Sequence, residues 1–187
     1  MRATTVCVWM SVMALAVNAA AQTPAAGAKA PARASVSATL KQNWDSMKVN
    51  LRESATMMDE ASYAFKPVDT VRSYGQILAH VAGASYVFCA ATKGEKSPFE
   101  EDHFEKSVIG KAAIVKAVND GIAYCDAAYD ALTDATGAES VDLPFGMGKG
   151  SRSFPLVLNY GHYAEHYGNL VTYLRIKGLV PPSSRQR

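Results

Sequence analysis

The sequence predicts an all-α protein, a four-helix bundle with long connecting loops. Apolar residues recur at spacings of three and four in four separate stretches of about 20 residues each. No segment sustains the strict alternation with β-branched residues that marks a half-buried strand. Proline, glycine and polar runs punctuate the chain between those stretches.

The chain opens with Arg2 and a mostly apolar run from Val6 to Val17, closing on Asn18-Ala19-Ala20-Ala21. A basic start, a short apolar run and small residues of the Ala-x-Ala kind are the pattern of a secretory signal peptide cleaved after Ala21. A membrane span needs about 20 residues, so export is expected and an uncleaved anchor is the competing reading. Residues 22–37 are rich in Ala, Pro and Gly, and Gln22 to Ser35 holds no large apolar side chain. Such a stretch cannot bury enough surface to offset its ordering entropy, so it is expected to be a flexible linker. Residues 38–182 are expected to form one bundle domain, long enough for a single core, and Ser183 to Arg187 a loose tail.

The first helix is predicted from Ala38 to Met58, with Leu40, Trp44, Met47 and Leu51 on one face. Pro67 blocks its continuation. Helix two opens at Ser73, where Ser73 and Gln76 have capping-box spacing. Ile77, Leu78, Val81, Ala84, Val87 and Phe88 give it a broad apolar face that ends near Gly94. A polar loop follows to Gly110, with Pro98, several acids and His103. Helix three covers Lys111 to Leu132 through Ile114, Val118, Ile122 and Cys125. The next loop, Thr133 to Arg152, holds a glycine cluster that matches no phosphate-binding fingerprint and is expected to overhang the site. Helix four starts at Ser153 as N-cap, tolerates Pro155 in its first turn, and ends at Lys177 with Gly178 as its cap.

Net charge is +2, from 19 basic and 17 acidic residues that are scattered among one another. No basic stripe exists to neutralise phosphates, so no nucleic-acid partner is expected. No apolar stretch after the signal is long enough to insert stably in a membrane. Cys7 leaves with the signal, which makes Cys89 and Cys125 an even pair. In an oxidising compartment a bridge between them is the expectation; the alternative is two small buried thiols.

The chemistry-bearing feature is His162 and His166, in Gly161-His162-Tyr163-Ala164-Glu165-His166. Positions i and i+4 lie about 40° apart around a helix, so both imidazoles can point at one spot, as in a helical zinc motif. His80, flanked by Ala79 and Val81 in helix two, is a candidate third ligand. Taken alone, His80 reads as a hydrogen-bonded core residue. Glu165 lies about 100° from His166 and should face away. Tyr160, Tyr163 and Tyr167 read as packing residues with a polar tip, Asn169 as reaching a helix-three partner, and His103 as a surface residue. No Ser-His-Asp or Cys-His nucleophile set is present, and no catalytic residue is assigned.

The stretch from His162 through Glu165, His166, Asn169 and Gly178 to Pro182 resembles the last helix of the DinB superfamily, also called DinB/YfiT-like, and Gly75 to His80 resembles its second. The resemblance implies a four-helix bundle with a divalent metal held by one histidine of helix two and two of helix four: His80, His162 and His166. Three neutral imidazoles suit zinc or nickel first, with iron or manganese as further options. The resemblance also implies a homodimer through helix faces. An export signal and a cysteine pair fit an exported branch, periplasmic or secreted, better than the cytoplasmic thiol-transferases of the family. The expected function is therefore metal-dependent hydrolysis or transfer on a small molecule of unknown identity; the alternative is a non-catalytic metal-binding or stress-related bundle.

Overall fold

The computed structural model describes residues 35–185. The expected signal peptide (residues 1–21), Cys7, residues 22–34 of the expected linker, and Gln186 and Arg187 lie outside the described residues. Along the described chain the helices are α1 (Val36–Met57), α2 (Tyr74–Lys93), the short α3 (His103–Ser107), α4 (Lys111–Ala131), the short α5 (Asp134–Gly137) and α6 (Phe154–Ile176). The four long ones are the four predicted. They form a bundle in which α1 and α2 are diagonal to each other, each packing on both α4 and α6. The pairing of α2 with α6 brings the helix of His80 against the helix of His162 and His166.

Local chemistry sets the ends. The Ser35 hydroxyl accepts from Ala38 N, so α1 starts two residues ahead of the expected Ala38. Ser73 and Gln76 form the expected capping box. Ser153, expected as an N-cap, has helical backbone angles and makes no side-chain cap bond; its hydroxyl lies 3.2 Å from Ser151 Oγ instead. Pro155 sits in the first turn of α6, where a missing N–H leaves no internal bond unmade. Gly178, in the left-handed region at φ 73°, follows α6 as expected.

The core centres on Trp44, which is fully buried. Its ring stacks on Tyr129 with centroids 4.7 Å apart and meets the edge of Tyr163 at 4.9 Å, while Nε1 donates to Asp126 Oδ1 at 2.7 Å. Buried phenols find partners: Tyr129 Oη donates to Leu156 O at 2.8 Å, Tyr74 Oη to Ser54 O at 2.6 Å, and Tyr63 Oη to Ala55 O. Along the α2–α4 seam a Cβ on Gly121 would meet Ala82 O at 3.1 Å, and one turn on Cys125 is bridged to Cys89 with Cα atoms 5.3 Å apart. The expected bridge is thus present, and it closes a loop of 36 residues.

Two loops carry more structure than predicted. The segment from Thr133 to Arg152 holds β1 (Ser140–Asp142) and β2 (Lys149–Ser151), an antiparallel hairpin of three residues a side, too short to register as alternation. The segment from Glu95 to Gly110 folds around α3 and lies on α2. Residues 183–185, expected to hang free, are tied down: Ser183 N donates to Tyr167 Oη at 2.9 Å, and Arg185 pairs with Glu53 at 3.1 Å.

Candidate metal centre

His162 and His166 lie on consecutive turns of α6 and His80 on the facing turn of α2. All three face the groove between the helices because their neighbours fill the core: Tyr163 is fully buried and Ala79 and Val81 nearly so. Tyr163 fixes the register. Ser85 Oγ donates to Val81 O at 2.8 Å, which leaves its lone pair for the Tyr163 hydroxyl at 2.6 Å. The three rings then converge through Nε2, with His162 Nε2 3.0 Å from His80 Nε2 and 3.1 Å from His166 Nε2.

These separations fit a metal. Two imidazole nitrogens bound at about 2.05 Å to one ion sit about 2.9 Å apart at a right angle and about 3.3 Å apart at a tetrahedral one. Both separations from His162 fall between the two. Burial pushes the His80 imidazole down to about 4 and His162 to about 3, and lowers His166 as well. The rings are therefore neutral near pH 7, the ligating form. Nδ1 of His80 and of His162 are buried without a hydrogen bond. The three Nε2 atoms, by contrast, crowd one point, where a cation could accept a lone pair from each. Among the described residues, His80, His162 and His166 are the group of donor atoms, within 4.8 Å of one another, able to hold a metal ion.

Around this triad the structure places residues that the sequence did not single out. Glu101 Oε1, from the loop before α3, lies 3.7 Å from His80 Nε2 and 4.0 Å from His162 Nε2. Glu105 Oε2, on α3, lies 3.6 Å from His80 Nδ1 and is paired at 3.1 Å with Arg72, whose carbonyl accepts from Tyr173 Oη at 2.6 Å. A carboxylate on that side favours the tautomer that leaves Nε2 free for metal. In sequence these acids read as a solvated loop. The available signal was Gly83, a glycine inside helix two that marks a close backbone approach.

The other expected residues sort plainly. Glu165 is exposed, as expected. Tyr160 packs partly buried against the core, and Tyr163 and Tyr167 are buried with bonded hydroxyls. Asn169 does not reach the third long helix: its amide lies 3.5 Å from His166 Nδ1, because a three-residue step on α6 puts it beside that ring. His103 stacks on Phe99, ring centroids 4.6 Å apart, rather than lying free on the surface.

A cleft of about 560 Å³ opens beside Glu101. Val87, Phe99, Leu143 and Phe145 make its apolar walls, and Glu95, Glu100, Asp102 and Asp142 ring it with Lys96. Phe145 belongs to the glycine-rich loop expected to overhang the site. Its ring contacts Phe88, which in turn contacts His162, at centroid distances of 5.7 and 5.6 Å. Phe145 also holds φ 57°, a conformation a non-glycine residue adopts at a cost of about 1–2 kcal/mol.

Residues 43–170 match the sequence profile of the DinB superfamily. The chain belongs to the DinB superfamily. Among DinB relatives, the uncharacterized protein YjoA of Bacillus subtilis (strain 168) is 27% identical over 132 residues, covering 67% of this chain and 80% of YjoA. The crystal structure of a DinB-like protein from Bacillus cereus superposes with a TM-score of 0.65 at 16% identity, covering 79% of this chain and 96% of that one. A mycothiol-dependent maleylpyruvate isomerase shares the fold with a TM-score of 0.60 at 15% identity, over 72% of this chain and 60% of the isomerase.

Proposed function

We propose that this DinB chain is an exported metalloenzyme that binds one divalent transition metal, zinc or nickel, through His80, His162 and His166. Hydrolysis or group transfer on a small molecule held in the neighbouring cleft is the reaction class. The observation that carries this is the convergence of three neutral Nε2 atoms at 3.0 and 3.1 Å, with Glu101 standing between them and an open cleft. Three protein nitrogens leave coordination positions open, the arrangement of a catalytic rather than a structural site. When bound, the ion supplies Lewis acidity toward a substrate oxygen and lowers the pKa of water toward about 7.

The chain's own part is positioning. Burial keeps the imidazoles unprotonated, Glu105, held by Arg72, places its carboxylate 3.6 Å from His80 Nδ1, and the Tyr163–Ser85 bond holds α6 at its height on α2. Phe145 and the other apolar walls of the cleft offer surface to an apolar part of a substrate, and the acidic ring favours neutral or cationic substrates over anions. The thiol dependence of the maleylpyruvate isomerase does not carry over at 15% identity.

Export rests on the Arg2-to-Ala21 pattern, and the Cys89–Cys125 bridge suits an oxidising compartment. No helix of the described residues is long and apolar enough to cross a membrane. A homodimer is proposed from the family resemblance, and exposed Phe154 and Val157 offer an apolar patch at the start of α6.

The test is metal content of untagged protein by elemental mass spectrometry. We expect about one transition metal per chain, lost in His80→Ala and in His162→Ala. Full occupancy in His162→Ala would refute the ligand assignment.

A further inference from the structure

We propose that Glu101 is a fourth donor to the metal of the histidine site, a carboxylate carried in by the loop between α2 and α3. This rests on the three histidines holding a metal, as proposed above. An oxygen bound to the same ion as an imidazole nitrogen lies between about 2.9 Å from it (cis) and about 4.2 Å (trans). Glu101 Oε1 sits at 3.7 Å from His80 Nε2 and 4.0 Å from His162 Nε2, each inside that range; with those two nitrogens 3.0 Å apart, the carboxylate closes by about 0.5 Å to bond the same ion. A carboxylate acting through an intervening water stands one hydrogen-bond length further out.

Two features hold this oxygen in place. The loop backbone rests directly on α2 at Gly83, where a Cβ would fall 2.0 Å from Glu101 O. On either side of Glu101, Phe99 and Phe104 clamp onto Tyr86 of α2, with ring centroids 4.9 and 5.8 Å away. Both contacts lie on the helix that carries His80, so the carboxylate and the first imidazole are set by one rigid element. The donor set becomes three nitrogens and one oxygen. The carboxylate cancels one of the two charges of the ion and leaves fewer positions open to substrate.

The experiment measures Zn²⁺ affinity of the full-length protein by chelator competition, together with the visible absorption of the Co²⁺-loaded form. The proteins are wild type, Glu101→Gln, Asp120→Asn and His162→Ala. Glu101→Gln should weaken affinity at least tenfold and change the Co²⁺ bands, while Asp120→Asn, an exposed acid on α4 that pairs with Lys116, leaves both as in wild type. Glu101 is one-third exposed, so the variant is not expected to threaten folding; a thermal melt of the metal-free form checks this. Unchanged Co²⁺ bands in Glu101→Gln overturn the proposal, with or without a loss of affinity, since they put the carboxylate outside the coordination sphere. A wild type that binds no metal defeats the histidine site itself. Metal binding that His162→Ala abolishes and Glu101→Gln leaves intact defeats only Glu101.

Discussion

Gly83→Ala isolates the contact on which the placement of the acidic loop depends. A Cβ built at Gly83 lies 2.0 Å from Glu101 O, 2.9 Å from Glu101 C and 3.4 Å from Glu100 O. All three are backbone atoms, so no side chain can swing clear. Restoring ordinary contact requires the loop to retreat by about 1.4 Å. Alanine is intrinsically better than glycine inside a helix by about 1 kcal/mol, whereas overpacking costs about 1–3 kcal/mol. The net expectation is a loss of about 0–2 kcal/mol. Gly168→Ala on α6 is the matched control, because nothing lies within 4 Å of its Cβ. It should gain about 1 kcal/mol, so the two variants should differ by about 1–3 kcal/mol. Urea unfolding of metal-free protein measures the difference. If Gly83→Ala gained as much as Gly168→Ala, the loop would not be seated on that glycine. With metal present, Gly83→Ala should also weaken Zn²⁺ affinity in the direction of Glu101→Gln.

Replacing both Cys89 and Cys125 by serine should lower stability by about 3–4 kcal/mol on the chain-entropy account of a 36-residue loop, with a further loss from polar groups placed in the core. Oxidised wild type melting no higher than the double variant would contradict this. Stability of the metal-free protein should also fall with acid. Burial depresses His80 to about 4 and His162 to about 3 from an ordinary 6.5, so the unfolded chain binds more protons below pH 6.5. The contribution is whole above that pH and is lost as pH falls toward the folded values, at up to about 1.4 kcal/mol per pH unit for each ring. Unfolding curves between pH 7 and 5 should show this slope in wild type and a shallower one in His162→Ala; equal slopes would mean the ring is not buried neutral.

The sequence by itself determined the four long helices and two of the three candidate ligands as a pair. Apolar spacing, the Ser73–Gln76 box, Pro67 and Gly178 are local signals, and helix formation answers to local signals. The four-residue step from His162 to His166 fixes their shared direction without any knowledge of the fold. His80 is a candidate third ligand from its place in a second helix. Resemblance is needed to prefer that over a core residue, since periodicity does not say which helix lies opposite. The tertiary structure decided the rest. Adjacency of α2 and α6 is a matter of which apolar faces interlock, and it depends on pairs such as Tyr163 with Ser85 that are 78 residues apart. Glu101 and Glu105 lay hidden because a charged loop has the same composition whether it faces water or caps a buried site. Only the seating of its backbone on Gly83, a contact between residues far apart in sequence, turns that acidic run toward the histidines.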